Sequence, residues 1–316
     1  MNTSTSSSGG NPTLIDWISL VVIAFAWGSD YILVKKALVV FTPTQLIVLK
    51  YIFSSLIVIW IAIKNISKVP KEKLFIIFMI TLFGVVIPAY LNVTAQTQLP
   101  SSTMGVINAL SPVFAVIVSY MFYRNKIKKI QAIGLFIAFC GSVLSSLIHK
   151  DGTFGTSFNY YVMFVLVAIF CYSVTAVVMK RRLSDLRPIV IISIGIMFKL
   201  PVMVMYFFVF DYPVHVRHVP AEDLWLALIS VFLLGTVSMM AGVVLYNRLL
   251  FRTSIEFSST VLYLVTFFAV MWGVIDGEKL FPMNFISMAL ILIGVVIVDR
   301  LSRKDVPHYE NIRKFR

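Results

Sequence analysis

Residues 74–95 read LFIIFMITLFGVVIPAYLNVTA, an apolar run without a charged side chain from end to end. A helix needs a run of this length to cross a hydrocarbon layer of roughly 30 Å at about 1.5 Å per residue. Working outward, comparable runs recur at about 16–38, 44–64, 102–123, 130–148, 158–180, 188–210, 223–246, 255–275 and 282–299, broken by basic or turn-forming clusters. The fold class expected is therefore all-α integral membrane, with ten transmembrane helices. Composition agrees, because 59% of the 316 residues are hydrophobic and 13% charged, against about 45–50% and 25% in soluble domains. A soluble protein is excluded. Connections this short leave no room for an inserted catalytic domain. Pro88, Pro112 and Pro201 fall within spans, where each removes a backbone donor and can kink its helix.

The chain carries 27 Lys and Arg against 14 Asp and Glu, a formal net charge of +13. An even number of spans puts both termini on one side, and the loops and tail of that side hold twenty of the cations. The other side holds five, Lys35, Lys36, Lys150, Arg217 and Lys279, while Lys50 and Lys199 lie within spans. Basic residues in short loops orient a multispanning protein, so both termini are expected in the cytoplasm and the protein in the inner (plasma) membrane. The excess charge is a topology signal and calls for no nucleic-acid partner. The expected partners are the lipid bilayer and a small-molecule substrate, with a homodimer left open. Residues 1–15 read as a disordered cytoplasmic N-terminus and 301–316 as a basic cytoplasmic tail.

Five spans in each half is an odd number, so repeated halves, 16–150 and 151–300, would be inverted relative to each other, a pattern found in transporters. Sliding the chain by 153 residues superposes Ser101 on Ser254, Lys126 on Lys279 and Gly141 on Gly294. Few identities accompany the superposition, so the expectation of two inverted five-helix repeats rests on topology and spacing.

Cys140 and Cys171 lie in separate apolar runs and signal neither a disulfide framework nor a thiolate metal site. The four histidines fall in loops or the tail, and His215 with His218 reads as a solvated loop pair rather than a metal site. HExxH, GxSxG and Gly-rich phosphate loops are missing, so no enzyme, metal or cofactor is expected. The informative residues are ionisable ones within spans, because a charge at mid-bilayer costs several kcal/mol and normally faces a cavity or a partner. Asp30 is the one carboxylate deep in a span, and Lys50 on the second span stands at a similar height. The short link between these spans makes them expected neighbours, with an Asp30–Lys50 ion pair. Lys199 sits mid-span without an obvious partner. These three are candidates for charge recognition or proton coupling, and a structural ion pair plus a snorkelling lysine is the alternative. Trp27, Ser29, Tyr90, Asn92, Asn108, Tyr172 and Tyr263 are candidates for the walls and hydrogen bonds of a substrate cavity.

Residues 25–35, Phe-Ala-Trp-Gly-Ser-Asp-Tyr-Ile-Leu-Val-Lys, resemble the first-span motif of the EamA family in the drug/metabolite transporter superfamily. Thr42-Pro43 with Lys50, Asn108-Ala109-Leu110-Ser111-Pro112-Val113, Asp276-Gly277-Glu278 and Ile293-Gly294 are similar to its later motifs. Asn125 stands where the family usually has Glu, and Val265 replaces a proline. The resemblance implies two inverted five-helix repeats around a central cavity, working by alternating access between the two sides. It implies export of a small metabolite or amino-acid-like solute. A non-transporting membrane receptor or assembly factor is the alternative reading.

Overall fold

The computed structural model describes residues 12–123, 129–147, 159–183, 185–210, 220–246, 248–249 and 255–302. All regular structure among them is helical: α1 (Leu14–Ala37), α2 (Pro43–Ile66), α3 (Lys71–Thr81), α4 (Ile87–Gln96), α5 (Ser101–Asn108), α6 (Ser111–Tyr123), α7 (Lys129–Leu147), α8 (Tyr161–Arg182), α9 (Pro188–Phe210), α10 (Ala221–Met240), α11 (Ile255–Ile275) and α12 (Pro282–Ser302). Among the described residues, seven stretches are long and apolar enough to cross a membrane, including Lys71–Gln96 and Ser101–Phe122, and shorter apolar helices cover Lys129–Ser145, Val261–Ile275 and Pro282–Ile297. Large apolar side chains such as Leu56, Trp60, Phe136, Trp225 and Phe267 are exposed on the outer faces, as a multi-pass membrane protein requires.

Local chemistry explains the helix starts. Thr42 accepts from the Gln45 amide while the Gln45 side chain accepts from the Thr42 amide, and Pro43 fills a first-turn position that has no donor to lose. Thr13 and Asp16 close the same reciprocal arrangement at the head of α1.

The three prolines act differently from one another. Before Pro88 the chain widens into a π turn, Leu82–Val86, so that α3 and α4 continue as one rod. The fourth span breaks at Ala109–Leu110 and restarts with Pro112 in the first turn of α6. Pro201 lies inside α9, which runs unbroken across it. A second π turn, Ala241–Tyr246, ends α10 without any proline.

The helices pack chiefly between the two halves of the chain. α1 lies against α10 and α11, α2 against α9 and α10, α4 against α8, α5 against α11, α6 against α8, and α7 against α12. Exchanging α1 with α8, α2 with α9 and the α3–α4 rod with α10 maps these contacts onto one another: α1 with α10 becomes α8 with α4, and α2 with α10 becomes α9 with α3. The linked ends of α1 and α2 share an apolar cluster, Val34 and Ala37 with Leu46 and Ile47, while α10 packs along both helices. Gly235 allows it, because a Cβ there would meet the Lys50 carbonyl oxygen at 2.6 Å, and the buried Ser54 hydroxyl reaches the carbonyls of both Lys50 and Gly235 at 2.8 and 2.9 Å.

α7 and α12 meet through small residues. A Cβ on Gly141 would sit 2.8 Å from the Ile291 amide nitrogen, and one on Gly294 would sit 2.5 Å from the Ala138 nitrogen and the Gly134 oxygen. Gly141 and Gly294, superposed by the 153-residue slide, thus serve one crossing from opposite sides. In lipid such contacts depend on close backbone approach. Gly294→Leu is therefore expected to destabilise the fold by about 1–3 kcal/mol, read as a lowered thermal midpoint of the purified protein, whereas Ile293→Leu on the exposed side of α12 should leave it unchanged.

Candidate functional site

Asp30 lies seven residues before the end of α1, and Lys50 seven residues after the start of α2, each about 10 Å from those ends. Their equal depth was legible in the chain, but they form no ion pair within 4.0 Å. The Asp30 Oδ2 atom instead accepts from the Ser238 hydroxyl of α10 at 2.7 Å. The Trp27 indole donates to the Ser238 carbonyl at 3.2 Å, so one residue of α10 holds two residues of α1. The helix that packs Gly235 against Lys50 thus also presents Ser238 to Asp30.

The second oxygen of Asp30, Oδ1, is buried without a hydrogen-bond partner, as are Asn92 Oδ1 and Thr94 Oγ1. Buried polar atoms left unpaired are uncommon and costly. Asn92 of α4 and Tyr172 of α8 are neighbours, and the Tyr172 ring lies within electrostatic reach of Tyr31 and Tyr51. Tyr172 is 37% exposed. Lys199 is 8% exposed and sits with Nζ 3.8 Å from the centroid of the Tyr51 ring. Its partner is thus an aromatic face. Lys50 bears electrostatically on both Asp30 and Lys199, so the three interior charges share one region with α4, α8 and α10.

The other sequence candidates divide. The Ser29 hydroxyl donates to the Phe25 carbonyl at 2.7 Å and accepts from the Trp272 indole at 2.8 Å, which ties α1 to α11. Tyr90 meets Tyr206 edge to face with ring centroids 6.4 Å apart. The Asn108 amide turns back onto the Met104 carbonyl at 2.9 Å, which spends one donor on its own helix just before the break in the span. Tyr263 packs against the apolar cluster around Val106, Ile107 and Val165. His149, His215, His218 and His308 lie outside the described residues.

Sequence reasoning missed Ser238 and Tyr51 as site residues. Opposed positions on helices distant in the chain carry no local signal, and the one mark available was Ser238 as a hydroxyl in an apolar span. It also left Glu278 without a role. Glu278 Oε1 accepts from the Lys35 ammonium at 2.9 Å and the Ser101 amide at 2.8 Å, and Oε2 accepts from the Ser102 amide at 3.1 Å and hydroxyl at 2.7 Å. The carboxylate caps α5 at the end of the bundle away from the N-terminus of α1. Burial pushes its carboxyl up, but the hydrogen bonds from Ser102, Lys35 and Ser101 outweigh burial and hold it below the ordinary carboxylate range. Asp276 reaches Lys35 at 2.7 Å and also pairs with Lys36.

Similarity to known proteins covers the same extent as this architecture. A transporter of uncharacterised function from Archaeoglobus fulgidus is 24% identical over 287 residues, 90% of this chain and 98% of the relative. Protein PagO of Salmonella typhimurium is 24% identical over 169 residues, and that match spans 52% of this chain and 55% of PagO. A solved crystal structure superposes with a TM-score of 0.60 over 92% of this chain and 98% of its own, at 15% identity, a likeness of fold alone. The family model for EamA-like transporters matches residues 15–147 and again 159–299. With the model matched twice in succession, over most of its length, this chain belongs to the EamA-like transporter family.

Proposed function

We propose that this protein is an inner-membrane secondary transporter that exports a small amino-acid-like metabolite by alternating access. Ten spans in two inverted five-helix repeats would carry it. Supporting the repeat are the contacts that map onto one another under a shift of five spans and the π turns Leu82–Val86 and Ala241–Tyr246 at corresponding places. Gly84 of the first turn faces Thr175 of α8, and Gly242 of the second faces Trp27 of α1, the same pairing seen from either half. π turns inside α-helices are frequent at functional sites.

The observation that carries the reading is the unsatisfied interior. Asp30 Oδ1 and Asn92 Oδ1 are buried acceptors without donors, suited to the ammonium or amide of a solute. Lys50 and Lys199 supply positive charge for a carboxylate, and Tyr31, Tyr51 and Tyr172 offer ring faces to its apolar part. A solute bearing both charges would satisfy these groups when bound and leave them to water when released. Such balance suits a carrier, which must bind firmly enough to select and loosely enough to let go.

Asp30→Asn keeps the shape of the side chain and its contact with Ser238 while removing the charge. Counterflow of the solute in proteoliposomes is expected to fall about tenfold or more, the scale set by losing one charged hydrogen bond, at unchanged expression. Full counterflow would reduce Asp30 to a structural role. Lys199→Met should raise KM about tenfold for a solute with a free carboxylate and leave that for its carboxamide unchanged; equal shifts for both would count against carboxylate recognition. Topology is checked separately with reporters at the two termini, both expected to read cytoplasmic because twenty cations stand on that side against five on the other.

A further inference from the structure

The turn after α11 gathers charge in a way that transport chemistry at mid-membrane does not use. Gly277 has φ +84°, a conformation that favours glycine, and the turn it makes returns the Glu278 amide to the Gly273 carbonyl at 2.9 Å. Gly273 leaves room for the carboxylate, since a Cβ there would lie 2.5 Å from Glu278 Oε2. Every hydrogen bond of that carboxylate goes to the other half of the chain, to Lys35 at the end of α1 and to Ser101 and Ser102 at the start of α5. Asp276 adds Lys35 and Lys36. Three helix ends from two halves are thus joined by contacts that are polar, whereas apolar packing joins the same helices lower down.

We propose that the Lys35–Glu278–Ser101/Ser102 assembly is a one-sided gate latch: it holds the outer ends of α1, α5 and α11 together and must release for the interior site to open outward. This rests on the alternating-access reading and on its topology, which places this end of the bundle outside. Polar contacts suit such a role because water can replace each of them. Glu278 is nearly enclosed, its side chain 8% exposed, while Lys35 is 37% exposed, so water has an entry to the pair. The 153-residue slide puts Asn125 in the place of Glu278 at the opposite end. A neutral amide carries no charge for such a pair, and the ion pair described at that end, Lys73 with Asp185, joins α3 to the turn after α8 instead.

The groups facing Glu278 are Lys35 from α1, Ser101 and Ser102 from α5, and Asp276 within its own turn, itself paired with Lys35 and Lys36. Because the closed state holds the Glu278 carboxyl below its ordinary range, closure is favoured above that range and is lost as pH falls through the depressed value. High salt should weaken it in the same direction.

The test needs no solute. Spin labels are placed at Gln98→Cys and Lys279→Cys, both exposed positions beside the latch, in full-length protein with Cys140→Ser and Cys171→Ser, reconstituted in lipid nanodiscs. At neutral pH the parent should give one short distance. Glu278→Gln should add a longer component, its population relative to the short one rising about tenfold, the scale of one charged hydrogen bond. Lys35→Met, which leaves the α5 cap in place, should add the same component to a smaller extent. Acidifying the parent should also produce it. Distances unchanged from the parent in both variants and on acidification would overturn the latch. If Glu278→Gln fails to fold, Lys35→Met and the acid titration decide alone. Loss of the transport reading would show as intact counterflow in Asp30→Asn, which leaves these distances untouched.

Discussion

The structure depends on one packing constraint: its helices find their main partners in the opposite half of the chain. α1 leans on α10 and α11, α2 on α9, α4 on α8, and α7 on α12. Lipid offers little hydrophobic drive for helix association, so these crossings rely on close approach and interhelical hydrogen bonds. Glycines sit where the approach is closest, Gly28 against Phe268, Gly105 against Ala269, Gly235 against Lys50, and Gly141 and Gly294 at the α7–α12 crossing. Interleaving also explains why neither half stands as an independent unit in space despite matching the family model separately.

The same constraint organises the polar residues. Many hydroxyls in the spans are spent locally on the carbonyl one turn back, as at Ser19, Ser173, Thr175, Ser193, Ser230 and Thr266. These are satisfied within their own helix and tolerated in an apolar setting. A smaller group reaches across. Ser238 reaches Asp30, Trp272 reaches Ser29, and Gln96 reaches the Tyr31 carbonyl together with Ser101. What remains unpaired among the described residues, Asp30 Oδ1, Asn92 Oδ1 and Thr94 Oγ1, is a short set. Asp30 sits on α1, and Asn92 and Thr94 sit on α4. The end of the bundle at Glu278 shows the opposite economy, for there both oxygens of Glu278 are fully engaged.

Some of the site was legible in the chain because charge in a membrane is conspicuous. Asp30, Lys50 and Lys199 stood out as interior charges, and their equal or central depth followed from counting residues along helices. Their partners did not follow. The short link Leu38–Thr42 suggested that α1 and α2 pack side by side, and it joins only their ends. Sequence distance hides Ser238 from Asp30 by 208 positions and Glu278 from Ser101 by 177. Lys199 shows the same limit, since the residue it rests on, Tyr51, belongs to a helix more than a hundred positions away.

The amino-acid sequence by itself determined the helical class, the multi-pass membrane setting and the places where the spans begin. Hydropathy, proline position and capping residues are local properties, and they act before any helix meets another. Only the tertiary structure decided which helices are neighbours, and therefore that α10 reaches both Asp30 and Lys50, that Lys199 faces a tyrosine ring, and that Glu278 caps a helix of the other half. Those outcomes depend on how surfaces fit in three dimensions, where a glycine such as Gly235 admits a neighbouring backbone that any larger residue would push away.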